Sequence, residues 1–209
     1  MSVWVVVGGQ YGSEGKGKIA AYITLREEID ICVRCGGPNS GHCFVDNSGE
    51  LKALRQIPTG YVRHEARLLI PSGGLIDLGV IRQEIDALRL GPDRVGIDRQ
   101  AMVIEERDRE REAALDLRQR LSSTLCGVGS AVARKILRGE DVCLARDAAE
   151  HATWLKPYLT DAAAEINEGI DRGRKVLVEG TQGYGLSLYH SQVYPTARGP
   201  KCSCRGNVP

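Results

Sequence analysis

The chain has 209 residues, 42% of them hydrophobic and 26% charged, an ordinary globular composition with enough length to bury a sizeable core in one large domain or two small ones. Its 28 Lys+Arg balance 27 Asp+Glu, so no global charge points to nucleic acid or to a membrane surface. No apolar run is long enough to span a bilayer, and the N-terminal one is too short for a signal core, so the expected location is the cytoplasm.

Seven cysteines, an odd and scattered number, do not make a disulfide framework. Cys32-x-x-Cys35 sits in what reads as a strand, and Cys202 and Cys204 are wrongly spaced to complete a zinc site. Buried, reduced thiols are the expectation.

Along the chain, apolar strands alternate with amphipathic helices, which predicts an α/β fold with a largely parallel central sheet and flanking helices. Val3-Trp4-Val5-Val6-Val7 is the first strand. The run Gly8-Gly9-Gln10-Tyr11-Gly12-Ser13-Glu14-Gly15-Lys16-Gly17-Lys18 follows it and opens a helix near Lys16, with Ile19, Ala20 and Ile23 on one face. Ile31 to Cys35 is a second strand, ending in Gly36-Gly37-Pro38-Asn39-Ser40-Gly41-His42. Phe44-Val45 and Leu51 to Leu54 flank a hairpin turn at Asn47-Ser48-Gly49, and Leu68-Leu69-Ile70 is a further buried strand.

Leu78, Ile81, Ile85 and Leu88 share one stripe of a helix. Glu105 to Glu112 is dense in both charges, with Glu105/Arg109 and Asp108/Arg111 spacings that suit a solvated helix without chemistry. The loop Ser122 to Ser130 precedes a helix containing Arg134, Lys135 and Arg138. Ala162 to Ile170 is another helix, and Lys175-Val176-Leu177-Val178 is a strand ending in the loop Glu179-Gly180-Thr181-Gln182-Gly183. Thr196 to Pro209 lacks periodicity and reads as a disordered tail.

Four glycine-bearing loops (8–18, 36–42, 122–130 and 179–183) follow or border these strands. Ligands gather at the carboxyl ends of strands in open parallel sheets, so the loops could converge on one nucleotide cleft. Glycines let a backbone approach a ligand closely, and two lysines with a helix N-terminus add positive charge at the first loop, which suits phosphate. Gly12 to Lys18 satisfies G-x-x-x-x-G-K, but Ile19 stands where a P-loop carries Ser or Thr for magnesium. Gly15-x-Gly17-x-x-Ala20 mimics a dinucleotide fingerprint, yet begins with the helix rather than before it. His42, at the end of a Gly/Asn loop, is a candidate catalytic group or a structural histidine. Gln182 can read a purine edge or tie down its own loop, and Arg138 alone reads as a solvated charge.

Together these loops resemble the adenylosuccinate synthetase family. Gly9 to Lys18 is similar to the family's G-x-Q-W-G-D-E-G-K-G-K, Gly37-Pro38-Asn39-Ser40-Gly41-His42 to G-N-N-A-G-H, and Ile57-Pro58-Thr59-Gly60 to I-P-S-G. Ser122-Ser123-Thr124 through Gly127-Val128-Gly129 is similar to S-T-T-G-R-G-I-G, and Glu179 to Gly183 to E-G-A-Q-G. The likeness implies a nucleotide-binding domain over residues 1–195, incomplete relative to the family, with P-loop-like architecture, and a non-matching tail over 196–209.

The resemblance also implies a two-step ligase reaction dependent on Mg²⁺. The γ-phosphate of ATP, dATP or GTP passes to the 6-oxygen of a purine nucleotide, and L-aspartate then displaces it. Ser13, Lys16, His42 and Gln182 would be the catalytic positions. Gly12, Ser13, Glu14, Gly15, Lys16, Gly17, Asn39, Ser40, Gly41, Thr124, Arg138 and Gln182 would bind nucleotide, with Asn39 and Thr124 on the 5′-phosphate and Arg138 reaching across a homodimer. Ser13 and the Gly41 carbonyl would hold the metal.

Ser13 departs from the family pattern, which has an aspartate there as base at purine N1 and metal ligand. A serine hydroxyl cannot do carboxylate base work near neutral pH. Gly183-Tyr184-Gly185-Leu186-Ser187-Leu188 and Gly37-Pro38-Asn39 look like the bacteriophage branch of 2-aminoadenylosuccinate synthases, which also carries serine and acts on dGMP towards 2-aminoadenine DNA. A shorter residue leaves room for the 2-amino group beside N1. The expected substrate is therefore dGMP. An IMP-using synthetase and a non-catalytic nucleotide-binding remnant are the alternatives, the latter because Thr196-Ala197-Arg198-Gly199 replaces the family's next phosphate motif.

Overall fold

A computed structural model describes residues 2–46 and 48–195. In chain order the elements are β1 (Val3–Gly8), α1 (Lys16–Arg26), β2 (Ile31–Arg34), β3 (His42–Val45), β4 (Leu51–Leu54) and β5 (Arg67–Ile70). Next come β6 (Leu75–Ile76), α2 (Leu78–Leu88), β7 (Val95–Asp98), β8 (Met102–Val103), α3 (Glu106–Ala114), α4 (Leu117–Leu121) and α5 (Val128–Ile136). The chain continues through α6 (Ala145–Ala148), β9 (Leu159–Thr160), α7 (Ala162–Asp171) and β10 (Val176–Gly183).

The main sheet runs β1-β10-β2-β5-β7-β9, and every pairing in it is parallel. Val5 lies beside Val178, which in turn lies beside Val33, so β1, β10 and β2 are in step. Their carboxyl ends therefore bring the glycine loops after β1 and β2 together with the Glu179–Gly183 end of β10 at one edge of the sheet, as the alternation of strands and helices predicts. β3 and β4 form a separate antiparallel hairpin that places His42 opposite Leu54. Its turn includes Asn47, which lies outside the described residues, as does the tail 196–209 with Cys202 and Cys204.

One sheet face packs Trp4, Val6, Leu68 and Ile70 with Ala20 and Ala21 of α1 and Ile81 and Ile85 of α2. The other packs Ile31, Val33, Leu69 and Val176 against Ala162, Ile166 and Ile170 of α7. Caps start the helices where the sequence places them: Asp77 accepts from Gly79 and Val80 N–H at 3.0 and 3.1 Å, and Asp161 from Ala164 N–H at 2.9 Å. Among the described residues no helix is long and apolar enough to cross a membrane.

Several expectations change. α1 buries Gly17, Ala20, Ala21 and Thr24, whereas Ile19 is exposed, because small side chains let the helix lie close to the sheet. Of the described cysteines only Cys32 is buried, where burial pushes its thiol up to about 12 and leaves it inert; Cys35 and Cys43 are exposed. The charged helix α3 is not wholly solvated, since Asp108 and Glu112 are buried and bonded. Arg138 follows α5 instead of belonging to it, with φ +53°. Glu179 to Gly183 continues β10 and is not a loop. The short strands β7 and β9 had no signal: β7 is interrupted by Gly96 and ends on Asp98, and β9 has two residues.

Candidate active site

β1 ends at Gly8, and the chain must reverse within a few residues to start α1. Gly12 (φ +102°) and Gly15 (φ +82°, the N-cap of α1) adopt left-handed backbone that disfavours a side chain. Glu14 folds back over this turn: its Oε1 accepts from Gln10 N–H at 2.9 Å and its Oε2 from Gly12 N–H at 3.0 Å. Desolvation works to raise the Glu14 carboxyl, but the Gly12 and Gln10 N–H groups, Lys16 and the Gly9 N–H outweigh it and hold it below its ordinary value. Lys16 is buried beneath the loop and donates from Nζ to the Gly12 carbonyl at 2.5 Å. The loop thus carries a pinned cation and is braced by its own carboxylate.

His42 opens β3 directly against α1. A Cβ on Gly17 would lie 2.5 Å from the His42 Cβ, so glycine is what permits this approach. His42 Nδ1 bonds to Glu179 Oε1, and Arg34 Nη1 donates to the same oxygen at 2.9 Å. The other oxygen accepts from Thr59 N–H at 2.8 Å and Thr59 O–H at 2.9 Å. Arg34 also donates to the Ser40 carbonyl at 3.0 Å, which ties the loop after β2 to the same network. Burial pulls the Arg34 guanidinium down from its ordinary value, and Glu179 opposes that pull. With Nδ1 committed to a carboxylate, Nε2 is the nitrogen that remains for a ligand.

The opposite wall comes from α3, α4 and α5. Glu112 on α3 accepts from Gly127 N–H at 3.0 Å through Oε2, and from Gly129 and Ser130 N–H at 2.9 and 3.3 Å through Oε1. Ser123 Oγ adds a longer bond at 3.4 Å. One buried carboxylate therefore closes the start of α5 and shapes the 122–130 loop. Asp108 and Arg134 form a two-pronged pair at 2.8 and 2.7 Å that fixes α3 on α5. Ser122 and Leu125 both sit at positive φ, +61° and +56°, where the family motif carries glycine in place of Leu125.

Between these walls lies a cavity of about 1000 Å³. Its lining includes Gly12 to Gly17, Asn39 to His42, Thr124 and Gln182, so every site residue expected from the sequence faces one space except Arg138. Arg138 is exposed beyond the far end of α5. Asn39 Oδ1 is buried without a hydrogen-bond partner in the cavity wall, the kind of atom a polar ligand satisfies. No cluster of three or more His, Cys, Asp or Glu suited to a metal occurs among the described residues.

Three residues central to this geometry were not picked out as functional: Glu179, Arg34 and Glu112. Glu179 carried a legible signal, a carboxylate at the end of an apolar strand. Glu112 had none, since it is one acid among many in a charged helix.

The family model for adenylosuccinate synthetase matches residues 5–145. The synthetase of Thermococcus onnurineus is 44% identical over 199 residues, covering 93% of this chain and 56% of that protein. That of Pyrococcus horikoshii is 46% identical over 195 residues, covering 91% and 55%. Among solved structures, cyanophage S-2L succinoaminodeoxyadenylate synthetase bound to dGMP and dATP superposes with a TM-score of 0.81 at 29% identity, covering 93% of this chain and 55% of that one. The Plasmodium falciparum adenylosuccinate synthetase, at 19% identity and a TM-score of 0.78 over 95% of this chain and 55% of that one, shares the fold. The chain spans about half the length of the relatives it matches. Over that span, it belongs to the adenylosuccinate synthetase family.

Proposed function

We propose that the cleft binds a purine nucleotide beside a nucleoside triphosphate and supports C–N ligation at purine C6. The γ-phosphoryl group passes to the 6-oxygen. The amino group of L-aspartate then attacks C6, and the C6–O bond breaks with release of inorganic phosphate. The observation that carries this reading is the meeting of Lys16 and a carboxylate-held His42 in one cavity with Gln182. Glu179 fixes the His42 ring, whose Nε2 would face charge developing on the transferring oxygen. Lys16 would exchange its bond to the Gly12 carbonyl for one to phosphate. Asn39 and Thr124 would hold the 5′-phosphate, and Gln182 the base.

Mg²⁺ is the metal this reading implies. Ser13 and Gly41 line the cavity, and a hydroxyl and a carbonyl are neutral oxygen donors, which fits a hard cation completed by phosphate oxygens and water. When bound it would neutralise charge on the phosphoryl group. Arg138 lies outside this chain's cavity, so a phosphate contact from it would serve a second copy, in a homodimer.

Ser13 favours dGMP, with product 2-amino-2′-deoxy-N6-succinoadenylate, and the cyanophage relative is bound to dGMP with dATP as energy donor. The Thermococcus and Pyrococcus relatives carry the name adenylosuccinate synthetase, which supports the IMP-using alternative. The chain incubated with ATP, L-aspartate and either dGMP or IMP is expected to yield succino product from dGMP. Turnover of IMP with none of dGMP would overturn the 2-amino reading, and phosphate release indifferent to aspartate would overturn ligation itself.

A further inference from the structure

Arg55 follows β4 directly and touches two loops on opposite sides of the cleft. Its main chain is fixed first. Glu84 of α2 accepts from Arg55 N–H at 2.6 Å through Oε1, and from Gln56 and Ile57 N–H at 3.1 and 2.8 Å through Oε2. One carboxylate thus holds three successive amides, and the corner after β4 has little freedom. The side chain reaches out from that fixed point. Nε donates to the Pro38 carbonyl at 2.7 Å, and Nη2 donates to Cys126 Sγ at 3.5 Å.

Each contact lies next to a residue proposed above to hold the 5′-phosphate. Pro38 precedes Asn39, whose Oδ1 is buried without a partner. Cys126 lies two residues past Thr124, and its thiol donates in turn to the Thr124 carbonyl at 3.9 Å. Asn39 and Thr124 line the cavity, whereas Arg55 stands behind it and outside the lining. The two loops also meet directly, since a Cβ on Gly37 would lie 2.9 Å from Val128 Cγ2. A guanidinium is planar, with its donors in fixed directions, so holding two acceptors at once sets the separation of the loops that carry them. The family motif has arginine at the place of Cys126. A second guanidinium there would repel the first, whereas a neutral thiol accepts its N–H.

We infer that Arg55 is a positioning residue for the 5′-phosphate of the nucleotide. By spanning Pro38 and Cys126 it sets the spacing of Asn39 and Thr124 without itself touching the ligand. This rests on the purine-nucleotide reading of the cleft and adds to it a single side chain that joins the two walls. Its loss should be felt through the phosphate and not through the base.

The test compares dGMP with deoxyguanosine, the same ligand without its phosphate, and IMP with inosine, so that the choice of purine does not matter. Binding is read from amide shifts on titration, which follow weak ligands as well as tight ones. Arg55→Met keeps the apolar stem and the main-chain bonds to Glu84 but removes both side-chain donors. It is expected to weaken nucleotide binding about tenfold and to leave the nucleosides unchanged. Arg55→Lys restores the charge without the fork and should recover only part of the loss. Unaltered nucleotide binding in Arg55→Met would overturn the inference. So would an equal loss for nucleotide and nucleoside, which would make Arg55 a support of the fold alone, and so would full recovery by lysine, which would leave only a general attraction of charge. A wild-type chain that binds none of the four ligands would overturn the nucleotide reading itself, and the inference with it.

Discussion

The two walls of the cleft are built from different materials. The first stands on the carboxyl ends of β1, β10 and β2; its Arg34 and Glu179 are buried and paired with each other, and its Lys16 is buried against the Gly12 carbonyl. The second has no sheet strand in its frame. It hangs on Glu112, which gathers three backbone N–H groups, and it includes two residues held in left-handed backbone. Sheet-end geometry is set by ladders that close before any ligand arrives, whereas the helical wall takes its shape from one carboxylate and a strained turn. Any adjustment therefore falls to the 122–130 loop, while Lys16 and His42 are held by bonds at the sheet ends.

The largest break in this contrast should come from Glu179→Ala. It leaves the Arg34 guanidinium buried without its charge partner, and truncating one member of such a pair costs about 3–5 kcal/mol. Urea unfolding should show that loss as a cooperative shift of the whole transition; a loss confined to local loosening would mean the first wall is no more integral than the second. Glu112→Ala should act more locally. Three N–H groups lose their acceptor, at about 1–3 kcal/mol for unsatisfied groups, and exchange at Gly127, Gly129 and Ser130 should speed up while the Thr59 amide stays slow.

The smallest effect sharpens the picture of the glycine loop. The Glu14 carboxyl is held below its ordinary value of 4.5, so its bonds to Gln10 and Gly12 are intact above that value and are lost as pH falls through the lower folded-state value. The Gly12 amide resonance should move only in that acid range. Glu14→Gln should abolish the response without unfolding the chain.

Much of the first wall was legible because strand periodicity and glycine spacing are local signals. The stripe of Leu78, Ile81, Ile85 and Leu88 forms α2 over the range expected, and the loops after β1 and β2 face one cavity. The second wall was legible only in its loop. Asp108 and Glu112 look like any acids in a helix of mean solvent-facing composition, and their burial depends on Arg134 and on N–H groups 15 to 18 residues away. Ile19 failed for a related reason: apolar character predicts burial, but the close approach of α1 selects small residues at Gly17, Ala20 and Ala21.

Gly17 has a mechanical consequence. The gap between α1 and His42 holds a hydrogen atom and nothing larger, with the hypothetical Cβ only 2.5 Å from the His42 Cβ. Two bodies in such contact cannot approach further, and a shared apolar cluster of Ala20, Ala21 and Phe44 holds them together. Helix α1 and the histidine strand therefore form one rigid jaw. A ligand that closes this cleft does so by drawing the helical wall towards a fixed anvil.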